Sequence, residues 1–309
     1  MSNTTKKSKV IVIVGPTASG KTRLAIKVAQ RFGGEIISAD SMQIYKGMPI
    51  ATAAPTQEEK ALAVHHLVEF LEADKRFSVA DYVSLAKKCI DDILSRGKLP
   101  VIVGGTGLYI NSLIDGIEFC EEGFDADVRG KLEEEFEELG GEQMLLKLMK
   151  FDPDTAKRLN KADKRRIIRA FEVFYTTGKT LTEQNGLSRK NGKPYEEIMI
   201  GITYDDREKL YERINSRVDI MLNSGLIDEA RAMLKKGETA AQAIGHKEFG
   251  EYLNGSCTLE EATEKLKRET RRYAKRQLTW FRRDSRINWI YADKENVTER
   301  AYDIIERKL

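Results

Sequence analysis

Gly15, Pro16, Thr17, Ala18, Ser19, Gly20, Lys21 and Thr22 satisfy the spacing G-x-x-x-x-G-K-[ST] at every fixed position. Glycines at these places let successive backbone N–H groups turn toward one anion. A helix starting at the lysine adds positive potential. Lys21 supplies a full charge to terminal phosphate oxygens, and the Thr22 hydroxyl is placed to ligate Mg2+. The pattern implies a bound di- or triphosphate. It names neither ATP nor a reaction.

Two further chemical groups stand downstream. Asp40 precedes Ser41, Met42 and Gln43 at the end of an apolar run. A carboxylate there serves as a general base or holds the water of a metal ion. It serves equally well as a turn cap, and the sequence leaves both readings open. The run at 99–103 ends in Gly104, Gly105, Thr106 and Gly107, where many phosphate-loop hydrolases carry a Mg2+-holding acid. The missing acid argues against ATP or GTP hydrolysis. Thr106 instead offers a hydroxyl and an N–H to an anionic leaving group.

The elements that must position these groups alternate in type. Residues 10–14 (VIVIV), 35–39, 99–103, 197–204 (EIMIGITY) and 287–290 read as buried strands. Helical patterns cover 22–32, 78–96 (with Ser78 as N-cap), 205–223, 227–236 and 259–283. This predicts an α/β fold: a doubly wound parallel sheet of about five strands, with ligands at the carboxyl ends of the strands. From about 117 to 195 no buried strand is evident, and helical patterns break at Gly140-Gly141, Pro153 and Gly178. The expected division is a core of 1–116 with 197–309 and an inserted helical domain at 117–196.

Across 309 residues, 41% are hydrophobic and 33% charged, as in a soluble globular chain. The net charge of +3 hides local asymmetry. Acidic residues crowd 118–142, and basic residues crowd 161–169 and 265–286. Cys89, Cys120 and Cys257 lie far apart, without metal-ligand spacing, which suits a reduced cytoplasmic setting. The apolar stretch near the N-terminus is too short to anchor in a membrane. His65 and His66 lack metal-spaced partners and read as structural or capping residues. Trp280 reads as a core or cleft wall rather than a base-stacking platform.

GPTASGKT at 15–22, DSMQIYKGM at 40–48, HHL at 65–67, GGTGLYI at 104–110, RRIIRAFEVFYTTGKTLTE at 165–183, AIGHKE at 243–248 and RQLTWFRRD at 276–284 resemble the tRNA dimethylallyltransferase (tRNA isopentenyltransferase) family. The resemblance runs in order along nearly the whole chain. It implies a phosphate-loop NTPase-like fold in which the loop cradles dimethylallyl diphosphate, with Mg2+ at Thr22. The acceptor it implies is N6 of the adenine 3′-adjacent to the tRNA anticodon. Asp40 would take the N6 proton. Thr106, Lys21 and Arg217 would stabilise the departing diphosphate. Asp40, Ser41, Met42, Gln43 and Thr106 would touch the adenine. Arg165, Arg166, Ile167, Ile168 and Arg169, with Gln242, Ala243, Ile244, Gly245, His246 and Lys247, would contact the anticodon stem-loop. His246 departs from the tyrosine that the family often carries. No Cys/His zinc-finger pair follows the last strand, so a bacterial-type enzyme is implied; a monomer is expected.

Two other readings share parts of this pattern. A small-molecule kinase would have the same loop and sheet, but has no use for long basic helices. A non-catalytic RNA-binding module would not need Lys21, Thr22, Asp40 and Thr106 together. The basic helix at 264–283 favours contact with an RNA backbone over a merely solvated face.

Overall fold

The computed structural model describes residues 7–117, 125–188, 192–236 and 243–309. The central sheet begins with β1 (Lys9–Val14), whose β-branched run is fully buried on both faces after Lys9. It continues through β2 (Gly34–Ser38), β3 (His65–His66), β4 (Leu99–Gly104), β5 (Glu196–Thr203) and β6 (Asn288–Tyr291). All pairings are parallel, in the order β3-β2-β4-β1-β5-β6. The sequence predicts about five strands, and the described sheet has six. The extra strand is the edge pair His65–His66, which joins Ile36 and Ile37. Two residues carry no periodicity to read. His66 is held by its Nε2 against Glu35 Oε2 at 2.8 Å, and His65 Nδ1 lies 2.8 Å from the Ala63 carbonyl, so both histidines are structural.

Helices cover both faces of the sheet. In the first half of the chain they are α1 (Lys21–Phe32), the short α2 (Pro49–Thr52) and α3 (Gln57–Leu62), α4 (Val79–Ser95) and α5 (Gly107–Ile114). Ser78 caps α4 with a reciprocal capping box to Asp81, as its position predicts. α1 has no side-chain cap and starts from Gly20 at φ 92°. Its buried face, Leu24, Ala25, Ile26, Val28 and Ala29, packs with Ile11, Ile13, Val101 and Ile200 of the sheet.

Contacts divide the chain into one unit of 1–114 with 194–309 and another of 115–193. The second unit is helical: α6 (Ala126–Met149), α7 (Pro153–Arg158), α8 (Lys164–Thr177) and α9 (Leu181–Leu187). α6 is interrupted at Gly140, φ 74°, and a Cβ on Gly141 would lie 1.9 Å from the Lys161 carbonyl oxygen. Asp152 Oδ1 accepts the Thr155 N–H at 3.1 Å and the Thr182 hydroxyl at 2.6 Å, tying α7 to α9. On α8, positions 165, 166 and 169 share the exposed face while 167, 168 and 171 enter the core. As side chains, Ile167 and Ile168 are therefore core residues and not RNA contacts, which corrects the expectation for these two. Within 165–169 the arginines on either side of them face outward.

The chain after the insertion adds α10 (Arg207–Asn223), α11 (Leu226–Met233), α12 (Gly250–Leu253), α13 (Leu259–Phe281) and α14 (Val297–Glu306). Thr258 opens α13 with a capping box to Glu261, and Leu266, Ala274, Gln277 and Phe281 form its buried stripe. No described helix is long and apolar enough to cross a membrane.

Candidate active site

In this strand order the chain reverses direction between β1 and β4, the place where open parallel sheets leave a crevice at their carboxyl ends. The loops after β1, β2 and β4 converge there. The Ala39 N–H donates to the Val103 carbonyl at 2.7 Å, and the Thr106 N–H donates to the Ala39 carbonyl at 3.2 Å. These bonds stitch the end of β2 to that of β4. A cavity of about 360 Å³ lies over them, lined by Thr17, Lys21, Thr22, Asp40, Arg217 and Tyr273 among others. That size suits a small-molecule site. A second, more open hollow shares Lys21, Thr22, Ala53, Arg217 and Met221 with it, so these side chains form a common wall.

The phosphate loop is shaped by close approach. A Cβ on Gly15, at φ 151°, would lie 2.4 Å from the Ile202 carbonyl oxygen of β5. Lys21 folds back over the loop and donates from Nζ to the Pro16 carbonyl at 2.7 Å. Burial, reinforced by the neighbouring Arg217 charge and opposed by Asp40, brings its pKa down to about 7. Burial also lowers that of Arg217, again opposed by Asp40. Two desolvated cations therefore share one cavity wall, a setting that favours an incoming polyanion.

Of the two readings of Asp40, the structure shows the cap. Its Oδ1 accepts the Met42 N–H at 2.9 Å and the Gln43 N–H at 3.4 Å, which is a turn cap. Its Oδ2 has no hydrogen-bond partner among the described residues. Thr106 Oγ1 accepts the Ser41 N–H at 3.0 Å and donates to Ser41 Oγ at 3.3 Å. Gln43 is fully engaged: its Oε1 accepts the Ser38 hydroxyl at 2.9 Å, and its Nε2 donates to the Thr52 and Ala53 carbonyls at 3.2 and 3.0 Å. It fixes the cavity wall at 51–53 as well as lining the cavity.

Three participants carried no assigned role in the sequence reading. Gln277 of α13 accepts the Thr17 N–H at 2.8 Å through Oε1 and donates from Nε2 to the Gly105 carbonyl at 3.0 Å. Tyr273, one turn earlier, has its hydroxyl pKa raised by burial and by Asp40, with hydrogen bonds to Thr106 and Gln277 pulling the other way. Arg213 Nε donates to the Ala18 carbonyl at 3.0 Å, holding the loop from outside. Gln277 lies inside the RQLTWF motif, which is the one signal that marked it.

The 243–247 segment divides. Ala243, Ile244 and Lys247 line the cavity. His246 does not: it is fully buried, with Nε2 2.9 Å from Glu229 Oε1. The Glu229 carboxylate also accepts the N–H groups of Ile50 and Ala51 at 2.8 and 2.9 Å. The expectation that the His246 side chain contacts RNA is corrected accordingly, because it is part of the packing that holds α2. Gly245 is buried beside it, at φ 107°, against Ala51. Gln242 and Cys120 lie outside the described residues. Arg165, Arg166 and Arg169 line a hollow of about 410 Å³ within the second unit, together with Thr155, Arg158 and Asn185.

The profile described as IPP transferase matches residues 43–284, and that described as isopentenyl transferase matches 8–74. The chain belongs to the IPP transferase family. A tRNA dimethylallyltransferase from Acetivibrio thermocellus is 50% identical over 295 residues, covering 94% of each chain. The crystal structure of a full-length tRNA isopentenylpyrophosphate transferase from Bacillus halodurans aligns over 97% of both chains at 42% identity, with a TM-score of 0.72. A eukaryotic dimethylallyltransferase, described as acting on tRNA, aligns over 98% of this chain and 80% of its own at 30% identity, with a TM-score of 0.83. As an IPP transferase, the chain keeps Thr17, Lys21 and Thr22 of its phosphate loop, Asp40 and Gly104 on one cavity, while Thr106 stands behind it, bonded to Ser41.

Proposed function

We propose that this protein transfers a dimethylallyl group from dimethylallyl diphosphate to N6 of the adenine 3′-adjacent to the anticodon in tRNA. The observation that carries the reading is the meeting of a carboxylate, Asp40, with two desolvated cations, Lys21 and Arg217, in one small cavity. N6 attacks the first carbon of the dimethylallyl group. The carbon–oxygen bond to diphosphate breaks, and the N6 proton passes to Asp40 Oδ2. Lys21, Arg217 and the Thr106 hydroxyl stabilise the charge of the leaving diphosphate. An exocyclic purine amine is a weak nucleophile, so a base at N6 and a well-bound leaving group are what this reaction requires. The adenine must leave its stack to enter the cavity.

The residues present fit Mg2+. No cluster of three or more His, Cys, Asp or Glu side chains suited to a metal exists among the described residues. Mg2+ needs none where it keeps its waters and takes substrate phosphate oxygens together with one or two protein oxygens. Thr22 and Asp40 are hard oxygen donors on the same cavity. In this reading Thr22 holds the ion, which supplies charge neutralisation to the diphosphate.

The helical unit is the proposed tRNA-binding domain, on the strength of the outward arginines of α8. The acting form in this reading is a cytoplasmic monomer. Parallel incubations with labelled ATP and labelled dimethylallyl diphosphate test the class of reaction. Label should enter tRNA from the prenyl donor alone. Transfer of the terminal phosphate of ATP to a small acceptor, with tRNA unlabelled, would promote the kinase instead.

A further inference from the structure

The basic helix α13 is not uniformly free to meet RNA. In its first half the cations are bound locally: Lys265 to Glu251 at 2.7 Å, Lys267 to Asp219 at 2.8 Å, Arg271 to Asn215 at 2.7 Å and Arg272 to Glu269 at 2.7 Å. Toward its end, Lys275, Arg276 and Arg283 have no ion-pair partner among the described residues. Arg276 lies over the Tyr273 ring at 5.7 Å. In the middle of these free charges stands Trp280, 41% exposed.

Its edge is seated on the phosphate-facing turn. A Cβ on Gly107 would lie 2.2 Å from Trp280 Cδ1, so glycine lets the ring lie flush against the turn that carries Thr106. Shallow hollows of about 410 and 350 Å³ both have Trp280 and Arg283 in their walls. Arg276 lines the second hollow and also the reaction cavity, so this one side chain stands between the two. An exposed ring fixed at its edge, ringed by unpaired cations and one cation away from the cavity, has the attributes of a stacking platform for single-stranded nucleic acid. The sequence suggested a core or cleft wall for Trp280; its exposure excludes the core, and it lines both hollows.

We propose that Trp280 stacks on the unpaired nucleobase next to the reacting adenine, with Lys275, Arg276 and Arg283 on its phosphates. The proposal rests on the tRNA-transferase reading and deepens it: the platform would hold the neighbour while the adenine enters the cavity. It predicts a role in RNA binding rather than donor binding.

The test uses the full chain carrying Trp289→Phe, which leaves Trp280 as the single tryptophan. Unmodified anticodon stem-loop RNA should quench its emission. RNA with an abasic site at one of the two nucleotides flanking the reacting adenine should bind more weakly and quench little. Trp280→Ala should raise KM for tRNA by about 5- to 100-fold, the range expected for one lost base stack. KM for dimethylallyl diphosphate should stay near its normal value, and kcat should move less than the tRNA KM. Trp280→Phe should recover most of the loss. Should Trp280→Ala fail to fold, quenching and the Phe variant still decide. Quenching left unchanged by both abasic RNAs, or an unmoved tRNA KM in a folded Trp280→Ala protein, overturns the proposal. Product formation by the unaltered protein is read separately, so absent stacking with intact transfer defeats this proposal and leaves the transferase reading standing.

Discussion

Gln277 Nε2 donates to the Gly105 carbonyl at 3.0 Å, and a Cβ on Gly105 would lie 2.0 Å from that same nitrogen. The contact requires both a glutamine and a glycine. Through its other amide atom, Gln277 also holds Thr17, so one buried side chain sets the spacing of the two loops expected to face the diphosphate. Gln277→Leu leaves the Thr17 N–H and the Gly105 carbonyl without this partner. We expect a stability loss of about 1–3 kcal/mol, the usual cost of an unsatisfied buried polar group. Donor KM should rise in the same variant. Thermal unfolding and steady-state kinetics read these effects, and a variant with normal stability and donor KM would show that the bridge is incidental.

Lys21 makes donor binding pH-dependent. Its pKa is down to about 7 in the free protein, chiefly through burial. A diphosphate beside it raises that value. At about pH 8 the free lysine is mostly neutral and the bound one charged, so binding takes up a proton. By linkage, the affinity contribution falls by up to about tenfold per pH unit above 7, and the linked uptake fades below pH 6. Calorimetry of diphosphate binding in two buffers of different ionisation enthalpy measures the uptake. Equal apparent enthalpies in both buffers at pH 8 would contradict this account of Lys21.

Asp40→Asn separates the two duties of that residue. Asparagine keeps an oxygen for the Met42 N–H and preserves the turn. It cannot accept the N6 proton. Turnover should fall by about 10² or more, as for loss of a general base, with tRNA affinity little changed. Near-normal kcat in this variant would reduce Asp40 to its cap.

The arginines of α8 make a salt prediction. Arg165 and Arg166 are exposed, and Arg169 is exposed while it pairs with the buried Glu172 at 2.8 Å. Replacing Arg165 or Arg166 by alanine should lower the slope of log affinity for tRNA against log salt by roughly one unit or less each. Arg169→Ala also strips Glu172 of a partner, so it should cost stability as well. Slopes identical to the parent in all three variants would make these charges a solvated face.

The sequence revealed the parts of the site that depend on local spacing. The phosphate loop is read from eight consecutive residues because strand, turn and helix fix each one. The helix start at Ser78 follows from a cap four residues long. What escaped depends on distance or on solid geometry. Gln277 meets its partner Thr17 across 260 positions. β3 exists only because Ile36 and Ile37 offer an edge to His65 and His66. The motif at 165–169 hid an alternation of outward arginines with inward Ile167 and Ile168 that only the rotation of a helix assigns. His246 looked like a surface residue next to Lys247, yet Glu229 draws it inside.

The most direct test of the central claim is the mass of the product. Purified protein with Mg2+, dimethylallyl diphosphate and unmodified tRNA, and without ATP, is incubated and the tRNA digested for mass spectrometry. The account predicts a five-carbon unit added to the adenosine 3′-adjacent to the anticodon, and its loss in Lys21→Ala, which removes a main charge partner of the diphosphate. An unaltered adenosine there under all donor and metal conditions, from protein that is folded and binds the RNA, would contradict it.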